Sequence, residues 1–142
     1  MNIYFACSIT AGREFESVYQ ALVRAFIEDC HTVPTAHLAE PGVGAREAML
    51  TAREVYERDL AWLRGCDVLI AEVSMPSHGV GYEIGFCLGL GKPVLALYQE
   101  GHRISKMISG NPDPSLWLKS YKTLEEAVVQ AREFLNEHKL CL

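Results

Sequence analysis

The sequence predicts an α/β fold: a single-domain, flavodoxin-like (Rossmann-like) five-stranded parallel sheet with helices on both faces. Three observations carry that expectation. Short apolar runs near residues 2 to 7, 31 to 35, 67 to 73 and 93 to 98, with a shorter one near 116 to 121, alternate with segments whose apolar residues recur at helical spacing. The run Val68-Leu69-Ile70-Ala71-Glu72-Val73 is short, rich in β-branched residues and bounded by turn residues, which suits a buried parallel strand. At 142 residues and 49% hydrophobic the chain is long enough for one domain with a sizeable core and too short for two ordinary ones, so residues 1–142 are expected to form one domain.

Taken in order, Met1-Asn2-Ile3-Tyr4-Phe5-Ala6-Cys7 reads as the first strand, with no basic leader or long apolar region. The expected compartment is the cytosol. Phe15, Val18, Tyr19, Leu22 and Phe26 line one face of a first helix; Val55, Leu60, Trp62 and Leu63 serve a second, whose end Gly65 marks. A last helix runs from about Leu124 to His138, with Thr123 as cap and Glu126 at the third helical position. The Gly- and Pro-rich stretches 40–44 and 110–114 are loop-sized.

The most informative stretch is Asp67 to Gly91, which reads as strand, loop, helix, with Glu83 in the first helical turn. The loop beyond a parallel strand's carboxyl end is where open α/β sheets bind ligands. A carboxylate there can be a nucleophile or base facing the pocket, or it can merely complement the helix dipole.

Other chemistries are poorly supported. The formal charge of −5 argues against a surface that coats nucleic acid, while leaving room for a small pocket that takes one phosphate. Gly79-Val80-Gly81 with Gly85 misses the Gly-x-Gly-x-x-Gly spacing by one position, and Gly91-Lys92-Pro93 lacks the upstream glycine of a P-loop. His31, His37, His78, His102 and His138 show no metal-ligand spacing. No metal and no cofactor are expected. Cys7, Cys30, Cys66, Cys87 and Cys141 are odd in number and scattered, without a Cys-x-x-Cys pair; most are expected to be reduced core residues.

Four segments carry a family resemblance: Tyr4-Phe5-Ala6-Cys7-Ser8-Ile9 with Gly12-Arg13; Glu57-Arg58-Asp59-Leu60-Ala61-Trp62-Leu63; Asp67 to Val73; and Ser77-His78-Gly79-Val80-Gly81-Tyr82-Glu83. Together they resemble the nucleoside 2-deoxyribosyltransferase superfamily, and within it the branch of 2'-deoxynucleoside 5'-phosphate N-hydrolases. The resemblance extends from the first strand to about Ile108. It implies a glycosidic site in which Glu83 is the nucleophile, Asp59 protonates the departing base and Tyr4 holds the nucleophile. Such chemistry needs two carboxylates flanking the bond, one ionised and one able to supply a proton. Without the resemblance, Asp59 in a helix with Arg53, Glu54, Glu57 and Arg58 reads as a solvated face residue.

The serines bear on specificity. Where the transferase branch has an Asp that binds a free 5'-hydroxyl, this chain has Ser77, and a hydroxyl can donate to phosphate where a carboxylate would repel it. Ser8 matches a second phosphate ligand and Ser105 a serine given by a neighbouring subunit, so the resemblance implies a homodimer. Ile9 and Gly79 belong with the substrate-binding positions, and His37 matches a histidine near the base. Read without the family, the serines are loop and cap residues and His37 a loop histidine. Two departures stand out. Cys7 replaces a usual glycine, and Thr10 an arginine of the branch's Ser-Ile-Arg-Gly-Gly-Arg pattern; the lost guanidinium puts phosphate or sugar recognition, and the choice between deoxyribose and ribose, in question.

The expected function is hydrolysis of nucleoside 5'-monophosphates, 2'-deoxy ones foremost, to base and sugar phosphate, with a small nucleotide as partner and neither nucleic acid nor membrane. The alternatives are a base-exchanging deoxyribosyltransferase and a silent nucleotide sensor. A sensor has no need of Tyr4, Asp59 and Glu83 together.

Overall fold

A computed structural model describes residues 1–139, so Cys141 lies outside the described residues. Strands β1 (Ile3–Ala6), β2 (Val68–Glu72), β3 (Val94–Gln99) and β4 (Leu116–Tyr121) form one parallel sheet in the order β1-β2-β3-β4. The helices are α1 (Glu16–Glu28), α2 (Val43–Glu47), α3 (Ala52–Gly65), α4 (His78–Gly89), α5 (Lys106–Ser109) and α6 (Leu124–Glu137), with a 3-10 turn at Ala36–Ala39.

The parallel α/β class is as expected, but the sheet has four strands and not five. The expected strand at 31–35 contributes only a bridge between Thr32 and Asn2. Ile3 N donates to Thr32 O at 2.8 Å and Thr32 N to Met1 O at 2.9 Å, which places this segment on the free edge of β1. The next rung needs an N–H from residue 34. Pro34 has none, so the ladder stops, and Phe5 N donates to the Thr35 hydroxyl at 2.9 Å instead.

Alternation along β1 divides the core. Ile3 and Phe5 face α1 and α6, where Tyr19, Leu22, Phe26, Ala131 and Phe134 are buried; Tyr4 and Ala6 face α3 and α4, against Leu63, Val80, Ile84 and Cys87. All residues of β1 and β2 are buried, the pattern of strands covered on both faces. The stripe expected on α3 is only partly core: Leu63 is buried, while Val55, Leu60 and Trp62 are half-buried. Thr51 and Glu54 cap that helix reciprocally, and the Thr123 hydroxyl accepts from Glu126 N at the start of α6. Cys7, Cys66 and Cys87 are buried free thiols, whereas Cys30 is exposed.

One buried carboxylate closes the carboxyl end of the sheet. Glu72 ends β2 with no exposed surface and is held by the Ser74 hydroxyl and by Tyr121 Oη at 2.9 Å, while Gln99 N donates to Ser74 Oγ at 2.7 Å. Burial pushes Glu72 above the usual carboxylate range, against the pull of these donors. An acid whose folded pKa is raised stabilises the fold below its unfolded pKa, and that contribution is lost as pH rises through the folded value. Glu72→Gln, which cannot ionise, should therefore gain on wild type in urea-unfolding free energy as pH rises from about 4.5 to about 8. A gap that is flat with pH would show that Glu72 keeps an ordinary pKa.

Candidate active site

The segment after β1, helix α3 and the start of α4 border a cavity of about 360 Å³ whose lining includes Ile9, Thr10, Asp59, Ser77, Gly79 and Glu83. Glu83, on the cavity lining, is joined to the sheet: Tyr4 Oη donates to Glu83 Oε1 at 2.6 Å. Tyr4 can reach because it points to the α4 face of the sheet, where it is fully buried.

Glu83 does not stand in the first turn of its helix, contrary to the sequence reading. Ser77 caps α4, its Oγ accepting from Val80 N at 3.3 Å, so the helix begins at His78 and the glycines 79 and 81 are helical. Glu83 falls in the second turn, and the first turn carries no acidic residue. Burial raises the Glu83 pKa to about 7, with the Asp59 charge adding to the rise and the Tyr4 hydrogen bond opposing it. Burial, together with the Glu83 carboxylate, pushes the Tyr4 phenol well above its usual range, so it remains a neutral donor.

Asp59 is not the solvated residue that its helix suggests. Its side chain is 20% exposed, it lines the cavity, and its Oδ1 accepts from Arg58 Nε at 2.8 Å. Arg58 also grips Glu47 with Nη1 at 3.0 Å and Nη2 at 2.9 Å, and lies over the Trp62 ring at 4.9 Å. Glu47, which lines the same cavity, is held below the usual carboxylate range by the Arg58 hydrogen bonds. His37 reaches the site through it: Nε2 lies 3.2 Å from Glu47 Oε1 and the ring packs edge-on to Trp62 at 5.9 Å.

The serines are distributed unevenly. Ser8 is fully buried after β1, and its Oγ accepts from Ala11 N at 3.3 Å. Ser77 lines the cavity, and so do Ile9 and Gly79. Ser105 does not: it caps α5 and lines a second cavity of about 460 Å³ with Met75, Pro76, Arg103 and Ile108. Ser77, His78 and Val80 border both cavities. Of the other lining residues, Thr10 is exposed and Cys7 is buried, and burial drives the Cys7 thiol up to about 12. Arg13 offers the pocket no cation, since it is bound to Glu16 at 2.7 Å and to the carbonyls of Leu38 and Glu40. Among the described residues no cluster of His, Cys, Asp or Glu could hold a metal ion, and no helix is long and apolar enough to cross a membrane.

The family model described as nucleoside 2-deoxyribosyltransferase matches residues 3–135. The chain belongs to that family. A 5-hydroxymethyl-dUMP N-hydrolase of Mus musculus is 43% identical over 118 residues, covering 80% of this chain and 68% of its own. A relative from Methanosarcina mazei, provisionally named 2'-deoxynucleoside 5'-phosphate N-hydrolase 1, is 37% identical over 131 residues, covering 90% of this chain and 81% of its own. The solved structure of a CMP N-glycosidase from Clostridium botulinum superposes with a TM-score of 0.72 at 18% identity, covering 93% of this chain and 98% of that one; at that identity it speaks to the fold.

For this family member, sequence reasoning missed Glu47 and the role of Arg58 as its partner. Glu47 lies eleven residues before Arg58 across a helix break, and no spacing rule joins them. The Tyr4 contact itself yields a prediction. Tyr4→Phe removes the hydrogen bond that holds the Glu83 pKa down against its burial. Hydrogen bonds to charged groups contribute about 1.5–3 kcal/mol, equivalent to about one to two pH units. Carboxyl NMR titration should find Glu83 shifted upward by about one unit or more in Tyr4→Phe; an unmoved titration would mean that the phenol does not stabilise the carboxylate.

Proposed function

We propose that this chain, as one catalytic domain over residues 1–142, hydrolyses the N-glycosidic bond of nucleoside 5'-monophosphates, 2'-deoxy ones foremost, to free base and sugar phosphate. The observation that carries the reading is the pair Glu83 and Asp59 on one cavity, with the phenol of Tyr4 on the first of them. The names of the mouse and archaeal relatives, both nucleotide N-hydrolases, support the substrate class.

In the proposed reaction the Glu83 carboxylate attacks the anomeric carbon while the bond to the base breaks, and the carboxyl of Asp59 gives its proton to the departing base nitrogen. Tyr4 orients the attacking oxygen. Asp59, now ionised, takes a proton from water, whose oxygen displaces Glu83 and regenerates both groups. A nucleophile with a pKa of about 7 predicts a kcat/KM limb that rises with pH through that region. Glu83→Ala should abolish turnover, with activity loss of at least about a thousandfold, yet retain nucleotide binding in calorimetry, because the phosphate contacts lie elsewhere. Near-normal turnover in that variant would remove Glu83 from the role.

The 5'-phosphate is assigned to the start of α4 and the loop after β1. A helix N-terminus offers free amides and a positive dipole end, and this one has no carboxylate in its first turn. Ser8 and Ser77 donate hydroxyls there, Ile9 and Gly79 shape the walls, and His37 stands at the base end behind Glu47. Ser105 lines the other cavity of its own chain, so in this proposal a second copy provides it, and the active form is a cytosolic homodimer. The exposed Thr10 leaves the sugar end without the guanidinium that the hydrolase branch carries.

Ser77 separates hydrolase from base exchange. Wild type should turn over monophosphates with far higher efficiency than nucleosides, and added free base should not divert the sugar. Ser77→Asp, placing a carboxylate against the phosphate, should reverse the preference by at least about a hundredfold, the scale of losing two charged hydrogen bonds. Chromatography of released base over both substrate sets measures it; a ratio unchanged by the substitution, or efficient transfer to added base, would favour the deoxyribosyltransferase.

A further inference from the structure

We infer that Arg58 is a positioning residue that presents Asp59 to the substrate and braces the wall at the base end of the cavity, an inference that rests on the role proposed for Asp59. The contact is unusual for a helix. Residues i and i+1 of a helix do not face each other, yet Arg58 folds back along α3 so that its Nε meets Asp59 Oδ1 at 2.8 Å. The remaining fork is occupied by both oxygens of Glu47, at 3.0 and 2.9 Å, and Arg58 Cζ lies 4.9 Å from the centroid of the Trp62 ring one helical turn on. Arg58 is thus held on three sides. A planar fork fixed in this way holds Asp59 by Oδ1 and so limits the directions in which its carboxyl group can face.

The same contacts tie α3 to the segment before it. Glu47 ends α2 and is bound to His37 of the 3-10 turn at 3.2 Å, so the chain from His37 to Asp59 is one connected network on one side of the cavity. Side-chain exposures of 22% for Arg58, 12% for Glu47 and 20% for Asp59 place it under partial cover from solvent, where geometry is retained better than in an exposed pair. Lysine cannot reproduce it, because an ammonium lacks the planar fork that engages Glu47 in two places while meeting Asp59 at a third.

The test compares Arg58→Met, Arg58→Lys, Asp59→Asn and the double variant Arg58→Met/Asp59→Asn on 2'-deoxynucleoside 5'-monophosphates and on 4-nitrophenyl 2-deoxyriboside 5-phosphate, whose leaving group departs without a proton. Asp59→Asn should slow the nucleotides by at least about a hundredfold and the activated substrate far less. Arg58→Met should lower kcat on nucleotides by at least about tenfold with KM within about threefold, and leave the activated substrate nearly untouched. The double variant should be no slower than Asp59→Asn alone, since Arg58 acts through Asp59, and Arg58→Lys should recover part of the loss. Thermal unfolding accompanies each variant. If Arg58→Met unfolds because Glu47 is stranded, Arg58→Met/Glu47→Gln removes both partners and is measured in its place. Equal slowing of both substrates by the Arg58 variant, or losses that multiply in the double variant, would overturn the positioning role while leaving Asp59 in place. Nucleotide turnover undiminished in Asp59→Asn would instead overturn the assignment of Asp59, and the inference with it.

Discussion

Covering both faces of a parallel sheet with apolar helices leaves the strands no lateral outlet for polar chemistry, and the rest of the architecture follows from that constraint. Every residue of β1 and β2 is buried. Three of the polar groups in or beside these strands are met by partners: Glu72 by Ser74 and Tyr121, Tyr4 by Glu83, and Ser8 by the turn amide of Ala11. The two carboxylates on opposite faces illustrate what the partner decides. Both are raised by burial, but Glu72 is sealed in the core, whereas Glu83 borders a cavity where a ligand can meet it. Burial alone does not make a site; burial beside an opening does.

The cap of α4 is the second determinant. Because Ser77 starts the helix, its first-turn amides stand at the cavity without a carboxylate among them, and Glu83 is carried a turn deeper to meet Tyr4. One end of a single helix thereby offers an anion-favouring region and, one turn below, an acidic group. A nucleotide has the matching polarity, with phosphate at one end and the glycosidic bond a sugar's width away. The alternative placement, with Glu83 in the first turn, would set a negative charge among the first-turn amides and cancel that anion-favouring region.

Legibility in the sequence followed the range of the interactions. Periodicity located β1, β2, β3, β4, α1 and α6 closely, because these elements bury whole runs of apolar side chains. It overreached at residues 31–35, where Val33 and its neighbours read as a strand but Pro34 removes the donor the ladder needs. It misplaced the start of α4 as well, since glycines 79 and 81 look like loop and only the Ser77 cap shows them to be helical. On α3, charged neighbours made Asp59 look solvated, because composition cannot register that Arg58 folds back onto it.

What the sequence by itself determined was the α/β class, the family, and the residue types available for glycosidic chemistry, since these depend on local periodicity and on motifs read in chain order. Tertiary structure alone decided how they combine. It brought Tyr4 to Glu83 across 79 positions and Glu47 to Arg58 across 11, gave Glu83 a pKa of about 7, and put Ser105 on a different cavity from the carboxylates. Proximity, desolvation and the direction of a side chain arise from packing between elements far apart in the chain, and no spacing along the chain encodes them.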